Sequence, residues 1–344
     1  MLIATALAVV AAGCDAPIET ETVEGTAILR LDLPAGIARA DREGRFAEAP
    51  LPDTIAAQLD SLRAALAHGR DAAALRSQVG TTILGPLEEI LAPADRWIVR
   101  SARSEAVPGP LATLAAWSLP WGDGEPAGVR HVLRLDWPDA LQPLVPRSRK
   151  SAGSTVLLVA PFRTGTEPRA DDPDTLRAAL AGAAARVEMI PRNDVSAVSL
   201  RRTLERDTTA LLWFRGTSSA LADLRGSFGA WPAAVAWSLP GDTTDERLAL
   251  LPATLASGGE GPATVLLPMW AIPETAVARV AREWLDTWAG GQAADVALRT
   301  VRRTQWKERR PAREWASFAL LGDPSETDPP DRTSWLRRLQ LGGN

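Results

Sequence analysis

Thr209-Ala210-Leu211-Leu212-Trp213-Phe214 is an apolar run of strand length with no polar alternation. The same pattern appears in Thr155–Ala160, Ala233–Trp237 and Ala263–Leu267, with a more mixed strand at Arg186–Ile190. Strands that are apolar at successive positions have no solvated face, which is the pattern of a sheet covered on both sides. The spacing between them predicts helices over 174–184 and 195–205. Two longer amphipathic helices follow, over 274–288 and 293–307, and then a closing strand over 317–321. Regular strand–helix alternation of this kind predicts an α/β fold. The expected architecture is three layers, with a mostly parallel sheet flanked by helices.

Working outward, the Pro-, Arg- and Ser-containing segment 143–154 reads as an internal linker. Before it the pattern is that of a smaller α+β part. Thr26–Leu33 alternates as a half-buried strand, and 36–50 reads as a turn and connection. Ile55, Leu59, Leu62 and Leu66 recur at helical spacing after the cap signal Asp53-Thr54. A second helix is expected over 72–91, interrupted near Gly80 or Pro86. Trp97–Val99 and Val132–Leu135 read as short strands, and 108–128 as loops. The expected organisation is therefore a signal-like segment over 1–14, a tether over 15–24, an N-terminal part over 25–150, an α/β core over 151–324 and a tail over 325–344.

Residues 1–14 are uncharged and almost wholly apolar, and end at Cys14, the single cysteine of the chain. Fourteen residues fall short of the roughly 20 that a helix needs to cross a bilayer. They match the apolar core of a signal peptide. Ala11-Ala12-Gly13-Cys14 resembles the bacterial lipobox, in which the cysteine is lipidated and becomes the new N-terminus. That resemblance implies a lipid-anchored protein of the bacterial cell envelope, with Asp15 similar to an inner-membrane retention signal. The other reading is an incidental cysteine in a cytoplasmic protein.

Composition narrows the function classes. One cysteine excludes an intrachain disulfide and a cysteine-based metal site. Two histidines, His68 and His131, are too few and too scattered for a histidine-rich metal site, so no metal and no cofactor are expected. A net charge of −4 lacks the electrostatic footprint of a nucleic-acid binder. Thirteen tryptophans accompany a complete absence of tyrosine.

Several segments in order resemble the CHAT domain, whose fold is caspase-like and related to separase and the metacaspases. They are Ile83–Leu91, Asp95–Val99, Leu250–Leu255, Thr264–Trp270 and Glu314–Asp323. The resemblance spans roughly 50–324 and is clearest after 150. It implies a cysteine-peptidase framework with a histidine at the end of one strand and a cysteine at the end of the next. An adjacent imidazole favours the thiolate that attacks the substrate.

In this sequence the histidine strand corresponds to Leu211–Ser218, with Thr217 at the histidine position. The cysteine strand corresponds to Val235–Thr243, with Pro240 at the cysteine position. Proline offers neither a nucleophile nor an N–H for an oxyanion. The resemblance thus implies a degenerate, noncatalytic member that binds or regulates a protein or peptide partner. The alternative is a hydrolase using a substituted nucleophile. Ser218, Ser219, Ser238, Thr217 and Thr243 cluster at the same expected edge, near Asp242 and Asp245. These hydroxyls also suit turns and helix caps, and no base is evident beside them. Arg215 at that edge is a candidate for holding a carboxylate or phosphate; the plainer reading is a solvated loop residue.

Two further features bear on binding. The segment 293–310 carries Arg299, Arg302, Arg303, Lys307, Arg309 and Arg310. It reads either as a solvated helix face with cations at its C-terminal end or as a docking surface for anionic lipid. Trp270, Trp284, Trp288, Trp306 and Trp315 are expected in the helix–sheet core or at its edges, an exposed subset marking an interface.

Overall fold

The computed structural model describes residues 25–70, 72–101, 119–121, 124–136, 155–159, 173–183, 186–190, 196–206, 209–215, 234–238, 264–270 and 272–323. The chain opens with Thr26–Asp32 (β1), Ile37–Arg42 (β2) and Arg45–Pro50 (β3), then Ile55–Ala67 (α1) and Ala73–Ile83 (α2). A 3₁₀ turn at Gly85–Leu87 leads into Glu88–Leu91 (α3). Arg96–Ser101 (β4), the small pair Pro120–Trp121 (β5) and Glu125–Pro126 (β6), Ala127–Arg130 (α4) and Val132–Leu135 (β7) follow. The second half brings Thr155–Val159 (β8), Pro173–Ala183 (α5), Arg186–Ile190 (β9), Ala197–Arg206 (α6), Thr209–Arg215 (β10), Ala234–Ser238 (β11) and Thr264–Pro268 (β12). Glu274–Ala289 (α7), Ala294–Lys307 (α8), Ala312–Trp315 (α9) and Phe318–Gly322 (β13) complete the described chain.

Eleven strands form one sheet in the order β3-β2-β1-β4-β7-β13-β12-β11-β10-β8-β9. It consists of two parallel blocks. β1, β4, β7 and β13 run one way, and β12, β11, β10, β8 and β9 run the other, meeting at the antiparallel β12–β13 pair. The N-terminal strands thus extend the same sheet as the later core, because the last strand, β13, inserts beside β7. Strands β8, β10 and β12 are buried at every position, as expected for strands with helices on both faces.

The chain leaves β8 through α5 to β9 on its outer side, then returns through α6 to β10 on its inner side. Helix α7 packs against α5 and α8. The core between helix and sheet is built on indoles. Trp213 of β10 meets Trp284 of α7 edge-on at 6.5 Å between centroids, and Trp284 stacks on Trp288 at 4.9 Å. The Trp284 indole N–H donates to Ala294 O at 3.0 Å, so the ring is buried without an orphaned donor.

The structure departs from the sequence reading in two places and bears it out in a third. Residues 36–50 are not a mere connection but the β2–β3 hairpin, in register from Ile37↔Pro50 to Arg42↔Arg45. Its two-residue turn, Glu43-Gly44, has φ of 51° and 77°, the left-handed pair that matches strand twist. Alanines 38 and 40 supply the buried face of β2, and alanine carries a weak strand signal. The helix expected over 72–91 is interrupted at Gly85-Pro86, one of the two places expected for the break, where proline at the start of the 3₁₀ turn begins a new axis. Finally, Arg302 is not on the solvated face of α8. It lies 1% exposed on the same stripe as Leu298 and Gln305.

Candidate functional site

Strands β8 and β10 are neighbours whose onward connections leave in opposite directions, β8 toward β9 and β10 toward β11. The carboxyl ends of such a pair form the crevice where open α/β sheets place ligands. Arg215 is the last residue of β10, and its backbone pairs in register with Ser238, the last residue of β11. Two of the residues singled out from the sequence are therefore brought side by side at this edge. Thr217, Ser218, Ser219, Pro240, Asp242, Thr243 and Asp245 follow these strands in sequence and lie outside the described residues, as does Cys14.

The Arg215 side chain is buried, and its Nε lies 3.3 Å from Oε2 of Glu274. Glu274 is the first residue of α7, preceded by Pro273, so its carboxylate also benefits from the positive end of the helix. A buried guanidinium demands a carboxylate or equivalent acceptor, and the structure supplies one from 59 residues further along the chain. Glu274 is a residue that sequence reasoning missed. Its signal in the chain is an arginine ending a fully apolar strand, combined with an acid opening a helix after Pro273.

Each histidine makes local contacts of its own. His68 caps the C-terminal end of α1, where its Nδ1 is 2.7 Å from Ala64 O. His131 immediately precedes β7, which runs opposite to β10 and so begins on the same sheet edge. At about 4.8 Å per strand, three strand steps place it roughly 14 Å from β11 and four steps roughly 19 Å from β10. The His131 ring is buried, stacks on Trp97 at 4.5 Å and has Nδ1 2.8 Å from Ala94 O. Burial lowers its pKa, and nearby Arg130 and Arg299 add to that; the Ala94 hydrogen bond and Asp95 oppose it. It is a packing histidine.

A second constellation lies at the C-terminal end of α8. Trp270, Trp284, Trp288 and Trp315 are buried, whereas Trp306 is 37% exposed. Arg303, Lys307, Arg309 and Arg310 are exposed beyond it. Arg302, by contrast, donates from Nη2 to Phe318 O at 2.6 Å beneath the sheet, and burial lowers its pKa to about 9. Among the described residues no group of three or more His, Cys, Asp or Glu side chains stands in metal-binding proximity. No described helix is long and apolar enough to cross a membrane.

No protein-family model and no curated protein matches the sequence. Among solved structures, the chain is similar to one in the crystal structure of the Saccharomyces cerevisiae separase–securin complex, with 11% identity and a TM-score of 0.42. The likeness covers 66% of this chain and 15% of that chain.

Proposed function

We propose that the chain is a noncatalytic protein of caspase-like, CHAT-related design, acting as a binding or regulatory module for a protein or peptide partner. The observation that carries this reading is the buried Arg215–Glu274 ion pair at the carboxyl end of β10. In a peptidase of this design, that region holds an imidazole and a thiol. Here an internal ion pair stands beside the strand ends, while the aligned positions are Thr217 and Pro240. Both histidines are engaged elsewhere in the fold. The alternative is a hydrolase with a serine or threonine nucleophile at the same edge, for which the register of Ser238 beside Arg215 is the favouring observation.

A covalent serine-hydrolase probe and a peptide library distinguish the two. The noncatalytic reading expects neither labelling nor cleavage. Cleavage that disappears in Ser218→Ala or Ser238→Ala overturns it.

On the same reading the protein sits at a bacterial membrane through lipid on Cys14, supported by the Ala11–Cys14 motif and the acidic tether after it. Expressed with its N-terminal segment, the wild-type chain partitions with membranes and Cys14→Ser is released without detergent. A Cys14→Ser protein that stays membrane-bound defeats that part of the reading.

A further inference from the structure

The end of α8 departs from the way α1 and α7 end. Helix α1 ends with Gly69 at φ 66°, its N–H bonded to Leu66 O and the following N–H, of Arg70, bonded to Ala65 O. Helix α7 ends with Gly291 at φ 98°, bonded to Trp288 O. This left-handed terminating position favours glycine because a side chain there crowds the backbone. Helix α8 makes the same closing bonds, Arg309 N–H to Trp306 O and Arg310 N–H to Gln305 O, yet places Arg309 at φ 56°. A residue held in a disfavoured conformation where glycine would serve better for stability points to use of its side chain.

That side chain lines a cleft of about 520 Å³ between the end of α8, the start of α9 and Arg76 of α2. Arg76, Lys307, Arg309 and Arg310 all contribute to its wall, together with the indoles of Trp306 and Trp315; among the described residues no acid lines it. The nearest acid in sequence, Glu308, is 3.2 Å from Arg310. Lys307 and Arg309 have no acidic partner among the described residues. The macrodipole of α8 favours cations at this end. It does not account for a concave arrangement drawn from three separate elements, nor for the strained backbone of Arg309.

We propose that this cleft is a binding site for a phosphate-bearing ligand, with Lys307 and Arg309 engaging the phosphate oxygens, Arg76 and Arg310 adding to the positive wall, and Trp306 presenting an apolar face to the rest of the molecule. Arginine forks and a lysine together suit a multiply charged phosphate. The volume falls within the range of small-ligand sites. The ligand chemistry is that of a free phosphorylated small molecule or of a lipid phosphomonoester headgroup. The site is independent of the β10–β11 edge.

The test is titration calorimetry of the full chain with inorganic pyrophosphate at low ionic strength. Sedimentation with phosphatidylcholine vesicles, with and without phosphatidic acid, forms the second arm. The expected result is saturable binding of one pyrophosphate per chain. Arg309→Gly weakens it at least tenfold while Tm stays the same or rises, because glycine relaxes the left-handed position. Lys307→Gln/Arg310→Gln abolishes it. Capture by phosphatidic acid vesicles that pyrophosphate competes away assigns the headgroup as the source; binding of pyrophosphate without vesicle capture assigns a soluble ligand. Absence of saturable binding in both arms overturns the proposal, and so does binding that Arg309→Gly and the double variant leave unchanged.

Discussion

Arg215 and Glu274 form an ion pair at 3.3 Å with side chains only 3% and 7% exposed, joining the end of β10 to the first turn of α7. Each charge alone would be costly to remove from water, and their mutual attraction offsets that cost only while both are present. The pair therefore fixes where α7 begins relative to the sheet edge, and it fills the position from which a ligand-binding arginine would otherwise reach out.

Breaking the pair from one side is expected to be expensive. Arg215→Met or Glu274→Gln should each lower the free energy of unfolding by about 3 kcal/mol, because the remaining group is stranded. The double replacement Arg215→Met/Glu274→Leu should recover most of that loss, since apolar groups of similar volume need no partner. Urea unfolding of the three variants checks this. Single variants with wild-type midpoints would show that the pair contributes nothing to closing the edge.

His131 makes stability depend on pH in a defined window. Its folded pKa lies below the ordinary value of 6.5, chiefly because burial disfavours the imidazolium. As pH falls through 6.5, the unfolded chain takes up a proton that the folded chain refuses, so the unfolded state binds more protons and stability declines. Above that value both states are neutral and the contribution is constant. Thermal melts should show Tm falling from about pH 7 to pH 5. In His131→Phe, which keeps a ring against Trp97, that part of the slope should vanish. Parallel profiles for the two proteins would refute the assignment.

Arg302 tests the underside of the sheet. Its 2.6 Å bond to Phe318 O joins α8 to the first residue of β13, and its side chain is among the largest that are fully buried. Arg302→Ala should cost about 3 kcal/mol through a cavity and an orphaned carbonyl. Arg302→Gln keeps a donor and part of the volume, and should lose less. Equal losses in the two variants, measured by urea unfolding, would mean that the hydrogen bond is immaterial.

The β2–β3 turn offers a gain and a loss at adjacent residues. Glu43 occupies a left-handed position at φ 51°, where asparagine is the better residue, so Glu43→Asn should raise stability by about 0.5 kcal/mol. Gly44 sits at φ 77° with open space where a Cβ would project, so Gly44→Ala should lose about 1–2 kcal/mol from backbone strain alone. Differential scanning calorimetry reads both signs. A stabilising Gly44→Ala would show that residue 44 does not hold the left-handed position in solution.

What the residues determined by themselves is the α/β alternation. Apolar runs such as Thr209–Phe214 cannot tolerate a wet face, and the helical stripes of α7 and α8 demand a sheet to cover them. Periodicity is local, so those elements were legible to within a residue or two. The β2–β3 hairpin was not, because its buried face is alanine, whose preference for strand comes only from the neighbours it meets. The order of the sheet was equally hidden. β13 settles between β7 and β12, and that choice depends on contacts between residues far apart in the chain.

The site divides along the same line. The absence of a cysteine beyond position 14, and the Thr217 and Pro240 alignments, could be read directly from the chain. Only the tertiary structure paired Arg215 with Glu274, buried Arg302, placed His131 several strands away, and gathered Arg76 with Arg309 around one cleft. A sequence records which charges exist. Which of them find partners, and which come to line a cavity, is fixed by distances that appear only when the chain has folded.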